Sequence, residues 1–210
     1  MATGNPRAVP CPDAHGPSAQ RTARSPGSAS SSCQNVRVPH PYRVMTVCTG
    51  NICRSPMAEV VLRDRFERAG LGDEVVVDST GISDEEHGRP MDRRAQRVLG
   101  AHGYPLPLHR ARQVTAVDLT ARDLVLPMTA AHARALRSLA HGDVALAGHI
   151  RMFRSFDPEA PVGGPEHLLD VDDPWYGDQD GFEVTLEEIE AAADGIVEHV
   201  RTELSRRTVA

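Results

Sequence analysis

The chain has 210 residues, 40% of them hydrophobic and only 4% aromatic, with a formal net charge of −6. That length suits one domain with spare residues, and no run of about 18 apolar residues suggests a membrane-spanning helix. The charge is uneven: residues 1–40 hold Arg7, Arg21, Arg24 and Arg37 against Asp13 alone, so the net of −6 leaves the rest of the chain more acidic still. Nucleic acid is therefore not expected as a partner. The N-terminus lacks the apolar stretch of a signal peptide, and a cytoplasmic protein is expected.

Residues 1–40 are rich in Ser, Pro, Gly, Ala and Arg and show no apolar period. They read as a disordered tail, with a folded domain over 41–210. Tyr42 to Val47 reads as a first strand. Ser55-Pro56 then signals a helix start, Ser as cap and Pro in the first turn. Met57, Val61, Phe66 and Ala69 continue at helical spacing to a stop at Gly70. Val75-Val76-Val77 reads as a buried strand, and Met91 to His102 as a helix closed by Gly103. Leu124-Val125-Leu126 is a third strand, Thr129 to Ala140 a helix, and Ile150 to Phe153 a fourth strand. Phe182 to Leu204 is a final helix with Ile189, Ala193, Ile196, Val200 and Leu204 on one stripe. Strands alternating with helices imply an α/β fold with a parallel sheet covered on both faces. Such sheets bind ligands outside the carboxyl ends of their strands, where Cys48 falls.

The loop Cys48-Thr49-Gly50-Asn51-Ile52-Cys53-Arg54-Ser55 joins the first strand to the first helix. A strand-to-helix loop aims several backbone N–H groups at one point, and the helix dipole there favours an anion. Gly50 permits close backbone approach or a positive φ, and Asn51 tolerates the left-handed region. Arg54 adds a planar fork suited to phosphate. A thiol in that field becomes a thiolate nucleophile, and Ser55 beside it can hydrogen-bond the sulfur and help it leave. Phosphoryl transfer also needs a general acid. Asp173, ahead of Pro174 and followed by Trp175 and Tyr176, is a candidate; Asp172 is its rival, and nothing in the residues alone separates them. Cys11, Cys33, Cys48 and Cys53 lack the spacing of a zinc site.

The segment CTGNICRSPMAE, the runs Asp78-Ser79-Thr80-Gly81 and Ala111-Arg112-Gln113, and the late DPWYG resemble the low-molecular-weight protein tyrosine phosphatases, in order and spacing, over roughly 42–205. The resemblance implies a three-layer fold with a four-stranded parallel sheet. It implies Cys48 as nucleophile, Arg54 as phosphate clamp and Asp173, the residue directly before the Pro, as acid and then base. The substrate would be a phosphotyrosine protein, cleaved through a cysteinyl-phosphate with no metal and no cofactor. A monomer or weak dimer is expected. Asn51, Ser55, Ser79 and His109 look like the family's loop-holding network, and Cys53 like its reversible redox partner for the nucleophile. Glu85, Trp175 and Tyr176 would form the pocket wall. Glu85 is a departure, since many members carry an aromatic there; Met128-Thr129, where an Asp often follows the strand, is another. A protein-arginine phosphatase is the main alternative, although Ile52 stands where that group tends to have Thr. Thiol-relay arsenate reduction would need cysteines after Cys53, and there are none. An inactive phosphate-binding module would have lost Cys48, Arg54 or Asp173.

Overall fold

The structure is a computed structural model, and it describes residues 40–209. The expectation of a disordered tail falls almost wholly outside them.

Three parallel strands, β1 (Tyr42–Cys48), β2 (Val75–Gly81) and β3 (Leu124–Pro127), lie in the order β2-β1-β3. The helices are α1 (Arg54–Arg68), α2 (Arg93–Ala101), α3 (Ala116–Thr120), α4 (Ala130–Leu139), α5 (Val144–Gly148) and α6 (Gln179–Val209). β1 is central, so its alternating side chains feed two separate cores. Tyr42, Val44 and Cys48 join one cluster with α1, α2 and α6, through residues such as Met57, Leu62, Leu99, Phe182 and Ile196. Met45 and Val47 join the other, with Leu119 of α3 and Ala133 and Leu136 of α4. Both faces are covered, as a parallel sheet requires. The α6 stripe is as expected for Ile189, Ala193, Ile196 and Val200, all fully buried, while Leu204 is only partly so. At roughly 1.5–3 kcal/mol for each fully buried large apolar side chain, this packing rather than helix propensity fixes α6.

The fourth sheet position is held beside β3 by Ile150, through one parallel bridge to Val125. His149 O accepts from Val125 N–H at 2.9 Å and Arg151 N–H donates to Val125 O at 3.0 Å. The chain does not continue extended through Phe153, which opens a 3-10 turn over Phe153–Phe156 and packs fully buried into the larger core. β2 is longer than the valine run and alternates, leaving Val76 exposed. Gly70 and Gly103, with φ of 73° and 80°, follow α1 and α2 as anticipated. α3, α5 and the 3-10 turns carry no apolar period long enough to read in sequence. Among the described residues no helix is long and apolar enough to cross a membrane.

Candidate active site

β1 ends at Cys48 and α1 begins at Arg54, so the loop between them wraps the carboxyl end of the central strand. Most of its carbonyls are held by hydrogen bonds from outside the loop. Cys48 O accepts from Ile82 N–H at 2.9 Å, Thr49 O from Ser83 N–H at 3.0 Å and Ile52 O from Asp92 N–H at 2.8 Å. His109 Nε2 lies 2.6 Å from Asn51 O. With the carbonyls pinned, the N–H groups of residues 49–53 are left without an acceptor among the described residues. A loop of unpaired amides at a helix N-terminus is an anion cradle.

Asn51 sits at φ 58° and is fully buried. Its amide explains how that strain is held. Nδ2 donates to Ser55 Oγ at 3.0 Å and Ser79 Oγ at 2.9 Å, and Oδ1 accepts from Arg112 N–H at 3.0 Å. Ser79 donates onward to Glu59 Oε2 at 2.6 Å. Gly50 does not use positive φ; its part is close approach, since a Cβ there would stand 3.0 Å from Glu86 Cγ. Ser55 is not the helix cap. Cys53 occupies that position without a side-chain bond, and Ser55 lies inside the first turn. Its hydroxyl is 3.1 Å from Cys48 Sγ and 3.1 Å from Thr80 O. Pro56 beside it has no N–H to satisfy at the helix start.

Gly81, at the end of β2, lies under the loop: a Cβ there would meet Thr49 O at 2.5 Å and Asn51 N at 3.0 Å. Both are backbone atoms that cannot swing aside. Gly81→Ala should therefore destabilise by about 2–3 kcal/mol, a Tm drop of roughly 5–10 °C, and deform the cradle. Thermal unfolding and phosphate affinity measured together test this; an unchanged Tm would mean that the loop yields freely.

Arg54 is 4% exposed. Nη1 donates to Val171 O at 3.0 Å and Nη2 to Asp173 Oδ2 at 2.6 Å, while Nε is buried with no partner among the described residues. Asp173 caps a 3-10 turn over Pro174–Tyr176, its Oδ1 accepting from Trp175 N–H at 3.2 Å. Arg94 steadies that turn, donating to Gly177 O at 2.8 Å with its guanidinium 5.6 Å from the Trp175 ring. A cleft of about 160 Å³ results, lined by Cys48, Thr49, Gly50, Ile52, Cys53, Arg54, Glu85, Glu86, Asp173, Trp175 and Tyr176. Asp172 does not line it. Burial first, then Asp92, Cys48 and Asp173, push the Cys53 thiol up, so Cys53 stays protonated.

Of the described residues singled out in sequence, the loop, Asp173, Glu85, Trp175 and Tyr176 are at the cleft and Ser79 and His109 are in the network behind the loop, while Asp172 is at neither. Three were missed. Glu59 and Glu86 belong to long-range pairings that no local pattern announces. His132 of α4 is 3% exposed, and its Nε2 is 3.0 Å from Thr49 Oγ1. Burial and then the Arg54 charge push it down from 6.5 to about 4. The unfolded chain takes up this proton near the ordinary value and the folded chain resists it. Stability is therefore complete above the ordinary value and is lost as pH falls toward the folded one, by about 3 kcal/mol in all. His132→Gln should flatten that acid limb when urea midpoints are compared at neutral and mildly acidic pH. An equal acid loss in both proteins would contradict it.

A cysteine delivered by the central strand into an amide-lined loop, beside a buried arginine and across a cleft from an aspartate, defines the class of cysteine-dependent phosphatases. Within it, the chain belongs to the low molecular weight phosphotyrosine protein phosphatase family, whose model matches residues 43–206. A low molecular weight protein-tyrosine-phosphatase of Streptomyces coelicolor is 49% identical over 166 residues, 79% of this chain and 98% of that protein. The crystal structure of YfkJ from Bacillus subtilis matches with a TM-score of 0.70 at 31% identity, over 78% of this chain and 96% of that one. Vibrio vulnificus Wzb in complex with benzylphosphonate matches at 0.63 and 26%, over 75% and 98%.

Proposed function

We propose that residues 41–210 form an enzyme that hydrolyses phosphotyrosine on proteins through a phosphoryl-cysteine at Cys48. The observation that carries this reading is the convergence on one cleft of Cys48, five unpaired loop N–H groups, Arg54 and Asp173. The geometry suggests how each acts. The Nε and Nη2 atoms of Arg54 form the edge of its fork that can grip two phosphoryl oxygens. Nε has no partner among the described residues, and Nη2 is held only by Asp173 and, weakly, by Thr49 at 3.5 Å. An entering phosphate monoester, bound as its monoanion, displaces the Asp173 carboxylate from Nη2 and passes its remaining proton to it, which leaves the carboxylic acid facing the ester oxygen.

The Cys48 thiolate then attacks phosphorus, the P–O bond breaks, and Asp173 gives its proton to the departing phenol oxygen. Cradle and Arg54 hold the charge on the equatorial oxygens. In the second half Asp173 takes a proton from water, the water oxygen attacks phosphorus, and the S–P bond breaks. Ser55 has one proton and two acceptors near it, Thr80 O and Cys48 Sγ. A thiolate cannot donate, so the hydroxyl turns to it and stabilises it as leaving group, with Asn51 holding Ser55 in place.

Ile52, Trp175 and Tyr176 offer apolar surface for an aromatic ring above the loop. Benzylphosphonate, the aryl ligand of the Wzb complex, is in keeping with a ring at this position. Glu85 and Glu86 favour a second reading, since two carboxylates on the wall suit the cation of phosphoarginine. Parallel assays on phosphotyrosine, phosphoarginine and phosphoserine peptides decide. Phosphotyrosine should lead by at least about tenfold, with Ile52→Thr narrowing the gap; a lead for phosphoarginine would overturn the aryl preference. The thiols of Cys48 and Cys53 are both free, which suits a reducing, cytoplasmic setting. A reversible Cys48–Cys53 disulfide would lose its protective effect in Cys53→Ala, read as irreversible peroxide inactivation.

A further inference from the structure

His132 has no place in the mechanism above, yet it stands directly behind the loop. It is reached because Thr129 caps α4 through the His132 N–H at 3.3 Å, which sets the first turn of α4 beside Thr49. Its Nε2 faces Thr49 Oγ1 at 3.0 Å, and its Nδ1 is buried with no partner among the described residues. Among the described residues Thr49 Oγ1 meets one other polar group, Arg54 Nη2, at 3.5 Å.

We propose that His132 is a positioning residue: protonated on Nε2, it donates to Thr49 and thereby turns the Thr49 hydroxyl proton into the cleft, toward a phosphoryl oxygen. This rests on the reading of the cleft as a phosphate site. A neutral imidazole carries one proton, on one nitrogen or the other. On Nδ1 it would be a buried donor with nothing to receive it, the arrangement folded proteins avoid most. On Nε2 it has Thr49 Oγ1. The Arg54 guanidinium has donors only, so toward Arg54 too the Thr49 hydroxyl can only accept. Both lone pairs of the hydroxyl then face protein, and its proton faces the side that is open. Thr49 lines the cleft there and is exposed. With the opposite tautomer Thr49 would donate backward to His132 and present lone pairs to an incoming anion, which repels it. Burial and Arg54 keep the ring neutral down to about 4, so the arrangement persists at neutral and mildly acidic pH.

The tautomer is read directly from the long-range ¹H–¹⁵N spectrum of the ligand-free protein, with His132 assigned by its loss in His132→Gln. An Nε2-protonated pattern is expected; an Nδ1-protonated pattern overturns the proposal. Kinetics on p-nitrophenyl phosphate then test the consequence. Thr49→Val should lower kcat/KM about tenfold and raise the inhibition constant of inorganic phosphate. His132→Leu should cause a similar loss, and the double variant no more than Thr49→Val alone. His132→Gln, whose carboxamide N–H can reach the place of Nε2, should recover most of it. Parent-like kcat/KM in Thr49→Val, or losses that add in the double variant, overturn the proposal. Should His132→Leu fail to fold, the spectrum, Thr49→Val and the Gln variant decide. A parent protein with no hydrolysis would instead count against the phosphatase reading, which the spectrum does not depend on.

Discussion

Cys48→Ser lowers kcat for p-nitrophenyl phosphate by at least about 10⁴-fold and leaves the affinity for inorganic phosphate nearly intact. Removing the sulfur removes the nucleophile. The rest of the site is built elsewhere: the loop carbonyls are held by Ile82, Ser83 and Asp92, Asn51 by Ser79 and Arg112, and Arg54 by Val171. None of these bonds involves Sγ. Among the described residues its one polar contact is Ser55 Oγ at 3.1 Å, and a serine hydroxyl can replace that. The two readouts should therefore separate cleanly, with catalysis lost and phosphate binding kept. Hydrolysis at the parent rate would sink the assignment, and loss of phosphate binding would mean that the cradle depends on the thiol.

Asp173→Asn lowers kcat by about 10²–10³-fold for phenyl phosphate or a phosphotyrosine peptide. The loss should be smaller for p-nitrophenyl phosphate, whose leaving group needs less protonation. The structure adds a second effect of opposite sense. Asp173 Oδ2 stands 2.6 Å from Arg54 Nη2, in the place a phosphoryl oxygen would take. An uncharged amide competes less for that guanidinium, so the variant should bind inorganic phosphate as tightly as the parent or more tightly. A uniform loss across leaving groups, with weaker phosphate binding, would show that Asp173 serves Arg54 and not the leaving oxygen. Asp172, outside the cleft, should tolerate the same change with under about a twofold effect.

The loop was legible because its chemistry is local. A cysteine, a glycine, a left-handed asparagine and an arginine sit within eight residues, between a strand and a helix start. Asp173 lies far along the chain, and the family resemblance rather than any spacing chose it over Asp172. Ser55 holds the sulfur contact expected of it but is not the helix cap, for a physical reason. Ser-Pro at a helix start has the composition of a cap, but here the thiol and the Asn51 amide claim the hydroxyl. The fourth strand shrank to a bridge at Ile150 because Phe153 gains more from the core than from extending the sheet edge. His132 gave no signal at all. A single histidine on a short helix is ordinary in sequence, and only the packing of α4 against the loop brings its ring to Thr49.

The central question is whether the phosphoryl group passes through Cys48. The most direct measurement is acid quench of the protein in the first milliseconds of p-nitrophenyl phosphate turnover, followed by peptide mass spectrometry. A phosphoryl adduct on Cys48, formed with the burst of nitrophenol and accumulating in Asp173→Asn where base-assisted hydrolysis is impaired, is the predicted result. Steady turnover with no burst and no adduct, persisting when Cys48 is replaced by Ser, would contradict it.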